Sequence, residues 1–149
     1  MIAVVQRVSR ASVSISGIIK AQITSGLLIL LGIEEEDNQE DISWLAQKLV
    51  NLRIFSDDED KMNLSVKDIQ GETLIVSQFT LHASTKKGNR PSFIKAARPE
   101  TAIPLYEEFI TAVSSHGVPV KTGEFGANMQ IDLLNDGPVT LIIDTKNKV

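Results

Sequence analysis

The sequence has no cysteine, only two histidines and few aromatic residues. Without cysteine the chain has no disulfide, no thiolate zinc site and no cysteine nucleophile. His82 and His116 lie in unrelated settings, so no metal site is indicated and no cofactor is expected. No apolar run approaches the ~18 residues of a membrane span, and no basic stretch precedes an apolar one at the N-terminus. These absences favour a cytoplasmic protein without membrane contact.

The residues that are present suit one folded domain. The chain has 149 residues, and 42% of them are hydrophobic. This length matches the usual size of a domain, about 150 residues, and the composition is that of a globular protein. No repeat, linker or low-complexity tract interrupts the sequence. We therefore expect residues 1–149 to form a single domain.

The charge is unevenly distributed along the chain. The net charge of −4 argues at first against a nucleic-acid partner, but 10 of the 19 acids lie in residues 34–41 and 57–60. The basic segment, residues 86–98, contains five Lys or Arg residues and no acid. Because a polyanion responds to the local field, we expect Lys86, Lys87 and Arg90 to contact RNA, and Phe93 is available to stack on a base. The alternative for such a segment is a solvated surface loop.

Hydrophobic periodicity predicts an α/β fold rich in strands. A helix is expected from Asp41, with Asn38 or Asp41 as its N-cap, and a second helix over residues 101–115. Pro104 is expected in the first turn of the second helix, and Gly117 just after its end. We expect the two helices to cover a sheet or an open β-barrel. Strands are predicted at residues 2–4, 11–16, 27–33, 73–79, 118–122, 129–134 and 139–144.

Three further segments are candidates for a functional site. Residues 77–81 place hydroxyl and amide groups at a strand end, where backbone N–H groups are able to stabilise an oxyanion. Hydroxyls bonded to neighbouring backbone are the alternative reading. Residues 135–140 contain Asn-Asp-Gly-Pro, which predicts a turn, and residues 123–129 predict a loop that approaches a backbone or a ligand closely. No G-x-S-x-G motif is present, so a Ser-His-Asp triad is not indicated.

Two of these segments together resemble the signature motifs of the D-aminoacyl-tRNA deacylase (D-tyrosyl-tRNA deacylase) family. They read Ser77-Gln78-Phe79-Thr80-Leu81 and Asn135-Asp136-Gly137-Pro138-Val139-Thr140. Residues 1–8, 87–93 and 123–129 resemble the same family, so the similarity extends from end to end. The resemblance implies an enzyme that hydrolyses the ester bond of D-aminoacyl-tRNA and also of glycyl-tRNA, rejects L-aminoacyl-tRNA and thereby proofreads chirality in translation.

The resemblance also implies where the site lies. In such enzymes a homodimer forms two active sites at its interface, and a cis Gly-Pro motif of one subunit faces the Ser-Gln-x-Thr motif of the other. Gly137 and Pro138 are then expected to present carbonyls that hold the α-amino group and exclude an L side chain. Arg7 is expected to fix that Gly-Pro segment near the interface, while Met129 and Phe125 line the pocket.

The catalytic residues implied by the family are Ser77, Gln78, Phe79 and Thr80. Ser77 and Gln78 are expected to position the terminal adenosine or the ester, and the N–H groups of Phe79 and Thr80 to bind the oxyanion. Two mechanisms stay open: Thr80 acts as a nucleophile, or the terminal 2′-hydroxyl of the tRNA assists a water. We favour the second, because no base is placed to activate Thr80. A general esterase and a non-catalytic RNA-binding protein are the rival functions.

Overall fold

The computed structural model describes residues 1–149, which form two α-helices and eight strands. The expected fold class, a strand-rich α/β fold with two covering helices, is confirmed. Along the chain the elements are β1 (Ile2–Ile15), β2 (Ile18–Ile23), β3 (Gly26–Gly32), α1 (Gln39–Asn51), β4 (Phe55–Ser56), β5 (Met62–Leu64), β6 (Glu72–Ser77), a 3₁₀ helix (Phe79–His82), α2 (Pro99–Ser114), β7 (Val120–Thr122) and β8 (Gln130–Asp144).

The long strand β1 organises the sheet. Residues 2–8 of β1 pair with β3, residues 11–15 pair with β2, and β8 runs antiparallel along most of the other edge. The prediction of two separate strands here is therefore wrong, because the polar residues between them keep the extended backbone and its ladder. β2, which the sequence pattern did not indicate, follows a hairpin turn at Ser16 and Gly17, both with positive φ.

The centre of the sheet is parallel and buried on both faces. β3 pairs with β6, and β6 pairs with β7, in parallel. Leu27, Ile29 and Leu31 of β3 face the helices, whereas Leu28 joins a second cluster on the opposite face. This double burial accounts for the nearly continuous apolar run of β3. The sheet curls around the second cluster and brings β7 close to β2, where the Lys121 ammonium donates to the Gln22 carbonyl at 2.8 Å.

Both predicted helices are present. The Asn38 side chain caps α1, and the Asp41 carboxylate accepts a hydrogen bond from the Asn38 N–H, which completes a capping box. α2 begins earlier than predicted, at Pro99, so Pro104 lies inside the helix and not in its first turn. The helix persists through this proline because Tyr106, Phe109 and other residues of one face are packed against the sheet. No helix is long and apolar enough to span a membrane.

Acids in both acidic stretches accept hydrogen bonds within the folded chain. Asp37 is buried and accepts from the Met1 ammonium at 2.6 Å, and Asp41 accepts from Lys146 at 2.8 Å. Burial alone raises the pKa of Asp41, but hydrogen bonds from Lys146, Thr145 and the Asn38 N–H outweigh burial and lower it to about 2. In the second stretch, Asp57 accepts from two backbone N–H groups of its own turn.

The predicted turn at residues 135–140 is wrong, because the chain does not reverse there. β8 runs continuously from Gln130 to Asp144. Its pairing with β1 jumps from Val8–Asn135 to Gln6–Thr140, so four residues of β8 bulge opposite Arg7. The Asn135 amide donates to the carbonyls of Arg7 and Val139, both at 3.0 Å. Turn-forming residue types therefore build a bulge here. The Asn135 side chain replaces hydrogen bonds that the strand ladder loses at this point.

Candidate active site

A half-open cavity of about 290 Å³ lies where β6 ends. Its lining is mainly apolar. One wall comes from the end of β6 and the 3₁₀ helix, and the opposite wall from the loop after β7 and the start of β8. Of the residues singled out in the sequence, five meet here: Ser77, Gln78, Phe79, Phe125 and Met129.

The first wall forms because β6 stops at Ser77. The Gln78 N–H donates to the Leu31 carbonyl at 2.8 Å, and the chain then enters the 3₁₀ helix. The predicted strand extended to Phe79, so its last two residues were assigned wrongly. Gly32 permits this change of direction, since a Cβ there would lie 3.0 Å from the Gln78 carbonyl oxygen. Phe79 is consequently half exposed at the cavity mouth.

Thr80 has no base beside it. Its hydroxyl accepts a hydrogen bond from the Gln78 side-chain amide. The His82 imidazole is buried, its Nε2 has no hydrogen-bond partner, and the partner of the Thr80 hydroxyl is Gln78 and not His82. The N–H groups of Phe79 and Thr80 begin the 3₁₀ helix and donate to no carbonyl of the surrounding loops. The segment from Gln78 to Thr80 therefore offers a hydroxyl, an amide and two backbone donors beside the cavity, although Thr80 itself does not line it.

The second wall is a loop held by close packing. Gly126 has φ of +79°, and a Cβ on Gly123 would lie 2.6 Å from the Met129 sulfur. The Phe125 ring packs on Tyr106 at 5.6 Å between centroids. Tyr106 donates to the Ile75 carbonyl at 3.0 Å, and burial raises the pKa of its phenol to about 12. The loop predicted to approach a ligand therefore forms a fixed wall.

The Gly-Pro motif lies apart from this cavity. Gly137, Pro138 and Arg7 do not line it. The Arg7 Nε–H donates to the Asp136 carbonyl at 3.0 Å, and Nη1 donates to the Ile54 carbonyl at 2.7 Å. The Gly137–Pro138 bond is cis, and Gly137 has φ of +130°. A Cβ on Gly137 would lie 2.8 Å from Val139 Cγ2 and 2.9 Å from Arg7 Nη2, so any other residue would displace both side chains besides straining the backbone.

The basic segment borders the cavity. Ser84 and Ser92 exchange two backbone hydrogen bonds, which close the loop that carries Lys86, Lys87 and Arg90. These three side chains are exposed and make no ion pair within the chain. Phe93 packs edge-on against Phe79 at 5.2 Å between centroids. A stretch of positive charge thus stands beside the cavity mouth.

The sequence pattern did not reveal several residues of the site. Ile33, Ala97 and Ala102 line the cavity, but nothing in their type or spacing distinguishes them from core residues. A carboxylate holds this side together: Glu35 accepts from the Arg98 N–H at 2.8 Å and the Thr101 hydroxyl at 2.9 Å. The Arg98 and Thr101 bonds lower the pKa of Glu35, although the side chain is exposed.

Comparisons with known proteins show the family of the chain. Residues 4–144 match the family model described as D-Tyr-tRNA(Tyr) deacylase. The chain is 63% identical over 146 residues to a D-aminoacyl-tRNA deacylase of Flavobacterium psychrophilum, with 97% of each chain covered. A solved c-Myc DNA unwinding element binding protein is 43% identical, with a TM-score of 0.92 over 97% of this chain and 99% of that one. A probable eukaryotic D-amino acid tRNA deacylase, 18% identical, shares the fold at a TM-score of 0.80 over 95% and 97% of the two chains.

Proposed function

The chain belongs to the D-Tyr-tRNA(Tyr) deacylase family, as its two motifs predicted, and from this membership we infer that it is a D-aminoacyl-tRNA deacylase. It is a hydrolase that cleaves the ester bond between a D-amino acid and the 3′ end of tRNA, which releases both. The match spans residues 4–144, so we treat the chain as one deacylase domain. The observation that carries this function is the cavity that Ser77, Gln78 and Phe79 line at the end of β6.

The enzyme acts as a homodimer with its active sites at the subunit interface. Two features support this proposal. The Gly137–Pro138 segment is exposed and does not line the cavity of its own chain, so only a second protomer brings the two motifs together. β8 also exposes large apolar side chains, with Leu134 51% and Ile142 73% accessible. Such surface is common where another chain packs.

Selectivity for D-amino acids then rests on exclusion. The carbonyls of Gly137 and Pro138 from a second protomer hold the α-amino group and leave no space for an L side chain. Arg7 fixes their position through its bonds to the carbonyls of Asp136 and Ile54. Glycine has no side chain to exclude, so glycyl-tRNA is also a substrate. Met129 and Phe125 shape the remaining wall.

Hydrolysis depends on backbone donors and on the substrate. The N–H groups of Phe79 and Thr80 stabilise the oxyanion, while Ser77 and Gln78 position the terminal adenosine or the ester. Thr80 is bonded to Gln78 and has no base, which favours assistance by the terminal 2′-hydroxyl of the tRNA over an acyl-Thr80 intermediate. Lys86, Lys87 and Arg90 contact tRNA phosphates. Because its substrate is charged tRNA, the enzyme acts in the cytoplasm, where it proofreads the chirality of the attached amino acid.

A parallel hydrolysis assay tests the function. D-Tyr-tRNA and Gly-tRNA should be hydrolysed, and L-Tyr-tRNA should resist. Equal rates on the D and L esters would contradict selection by exclusion. Hydrolysis of small chromogenic esters without tRNA would instead favour a general esterase, and salt-sensitive tRNA binding without hydrolysis would favour an RNA-binding protein.

A second experiment separates the two mechanisms. Replacement of the terminal 2′-hydroxyl of the tRNA by hydrogen should nearly stop hydrolysis by the wild-type enzyme. Thr80→Ala should slow the reaction without abolishing it, and no covalent acyl-enzyme should be trapped in the wild type or in the variant. An acyl-Thr80 adduct, together with normal turnover of the 2′-deoxy substrate, would show that Thr80 is the nucleophile.

A further inference from the structure

A tight turn projects from the rim of the cavity. The Ala96 N–H donates to the Phe93 carbonyl at 3.1 Å, so Ile94 and Lys95 occupy the two corner positions of a β-turn. The Ile94 side chain is 91% accessible, which makes it the most exposed large apolar side chain apart from the C-terminal residue. An isoleucine and a lysine therefore stand side by side at the corner.

Both ends of this turn are fixed to the rim. At one end the Phe93 ring packs edge-on against Phe79, which lines the cavity. At the other end Ala96 forms a β-bridge with Glu34, and the Ala97 N–H donates to the Ile33 carbonyl at 2.8 Å. Ala97 and Ile33 line the cavity themselves. The corner is consequently held at one place beside the mouth and is not the tip of a free loop.

The basic segment that carries the corner suits a polyanion, and the two acids that lie against it have partners of their own. The Glu34 carboxylate lies 3.9 Å from the Met1 ammonium, and Glu35 accepts from the Arg98 N–H and the Thr101 hydroxyl. Residues 86–98 contain no acid, and Lys95 makes no ion pair within the chain. An exposed aliphatic side chain offers a surface for the flat face of a base, and the neighbouring ammonium offers a phosphate contact. A polynucleotide end whose last nucleoside enters the cavity leaves its next nucleotide outside the mouth, within reach of this rim. Its charge complements the corner, whereas an acidic peptide has no bases to cover Ile94.

We propose that the Ile94–Lys95 corner binds the nucleotide that precedes the terminal adenosine of the tRNA. The base of that nucleotide packs on Ile94, and its phosphate pairs with Lys95. This inference rests on the proposed deacylase function and adds a second nucleotide site to it. The site increases affinity for the polynucleotide end, but it does not touch the ester.

The test compares two substrates that differ only beyond the terminal nucleoside. D-Tyr-tRNA carries the preceding nucleotide, and 3′-O-(D-tyrosyl)adenosine lacks it. Ile94→Ser should raise KM for D-Tyr-tRNA about 5-fold with kcat unchanged, because the base loses the apolar surface on which it packs. It should leave kcat/KM for the adenosine ester as in the wild type. Lys95→Gln should reduce the slope of log affinity against log salt by about 0.7, the value for one single-strand phosphate contact.

Ile18→Ser is the matched control, since Ile18 is 73% accessible and lies on β2 outside the basic segment. It should leave the KM and kcat for both substrates as in the wild type. Equal losses on both substrates would show that Ile94 shapes the cavity itself, and no loss on D-Tyr-tRNA would show that nothing packs on it; either result overturns the proposal. A wild-type enzyme inert toward both esters would overturn the deacylase function, and this site with it.

Discussion

Arg7 joins three parts of the structure, and Arg7→Met should both destabilise the fold and impair the reaction. The guanidinium is almost buried and spans from β1 to the carbonyls of Ile54 and Asp136. Methionine preserves much of the aliphatic packing but donates no hydrogen bond. The Ile54 carbonyl then stays buried without a donor, and the bulge at Gly137 loses its support.

The expected size follows from these two bonds. A hydrogen bond that involves a charged group contributes roughly 1.5–3 kcal/mol, and a buried carbonyl left unpaired costs about 1–3 kcal/mol. Removal of a buried charge offsets part of this cost, because its desolvation penalty disappears. We therefore expect a loss of about 3 kcal/mol in the free energy of unfolding. For a chain of this length that loss lowers Tm by roughly 6–12 °C.

Arg10→Met is the matched control on the same strand. Arg10 also reaches β8, where it pairs with Asp132 at 2.6 Å, but both side chains are more than half exposed. An exposed ion pair contributes at most about 1 kcal/mol. Denaturant unfolding at one fixed protein concentration measures both variants, since association alters apparent stability. Hydrolysis of D-Tyr-tRNA measures the effect on activity.

Activity should separate the two variants further. In the proposed mechanism a displaced Gly-Pro segment misplaces the groups that hold the amino acid, and a misplacement of 1 Å costs about 100-fold in rate. Arg7→Met should therefore lower kcat/KM by at least that factor, whereas Arg10→Met should stay within about 2-fold of wild type. Equal losses of stability in the two variants, or an Arg7→Met enzyme with normal kcat/KM, would refute the role given to Arg7.

Three other predictions concern different parts of the chain. Gly137→Ala should abolish D-Tyr-tRNA hydrolysis and lower Tm, because its Cβ would meet Val139 Cγ2 at 2.8 Å and Arg7 Nη2 at 2.9 Å with φ at +130°; normal activity would contradict the tight fit. Asp41→Asn should lower the free energy of unfolding by about 2 kcal/mol relative to the wild type near pH 7. Since folding lowers the Asp41 pKa from 3.8 to about 2, that difference should shrink as the pH falls from about 4 toward 2 in denaturant titrations, and a constant difference would contradict it. Replacement of Lys86, Lys87 and Arg90 by glutamine should leave the fold unchanged. It should reduce the slope of log affinity for tRNA against log salt by about 2 to 3, and an unaltered slope would exclude these contacts.

Local signals in the sequence predicted both helices and most strands of the main sheet, but not β2. The apolar stripe after Asp41 and the Asn38 cap gave α1, because these depend on neighbouring residues alone. Errors arose where a distant partner decides the conformation. Asn135 stabilises a bulge and not a turn because its amide reaches the Arg7 carbonyl on another strand. Pro104 stays within α2 because tertiary packing holds that helix.

The candidate site divides in the same way. The motifs at residues 77–81 and 135–140 identified the family, since the order and types of their residues are written in the chain. The cavity itself depends on folding, which brings Ile33, Ala97 and Ala102 beside Ser77 although no pattern marks them. The separation of Gly137 from that cavity is likewise a property of the sheet alone.

The sequence by itself determined the fold class, the family and the chemistry available, because composition, periodicity and motifs are properties of one chain read in order. Tertiary structure decided which of those groups meet. Arg7 fixes the Gly-Pro bulge only because the register between β1 and β8 shifts opposite it, and Ile94 stands at the rim only because Phe93 and Ala97 are both fixed there. Contacts between residues far apart in sequence carry no local signature, since each side chain alone is compatible with many partners.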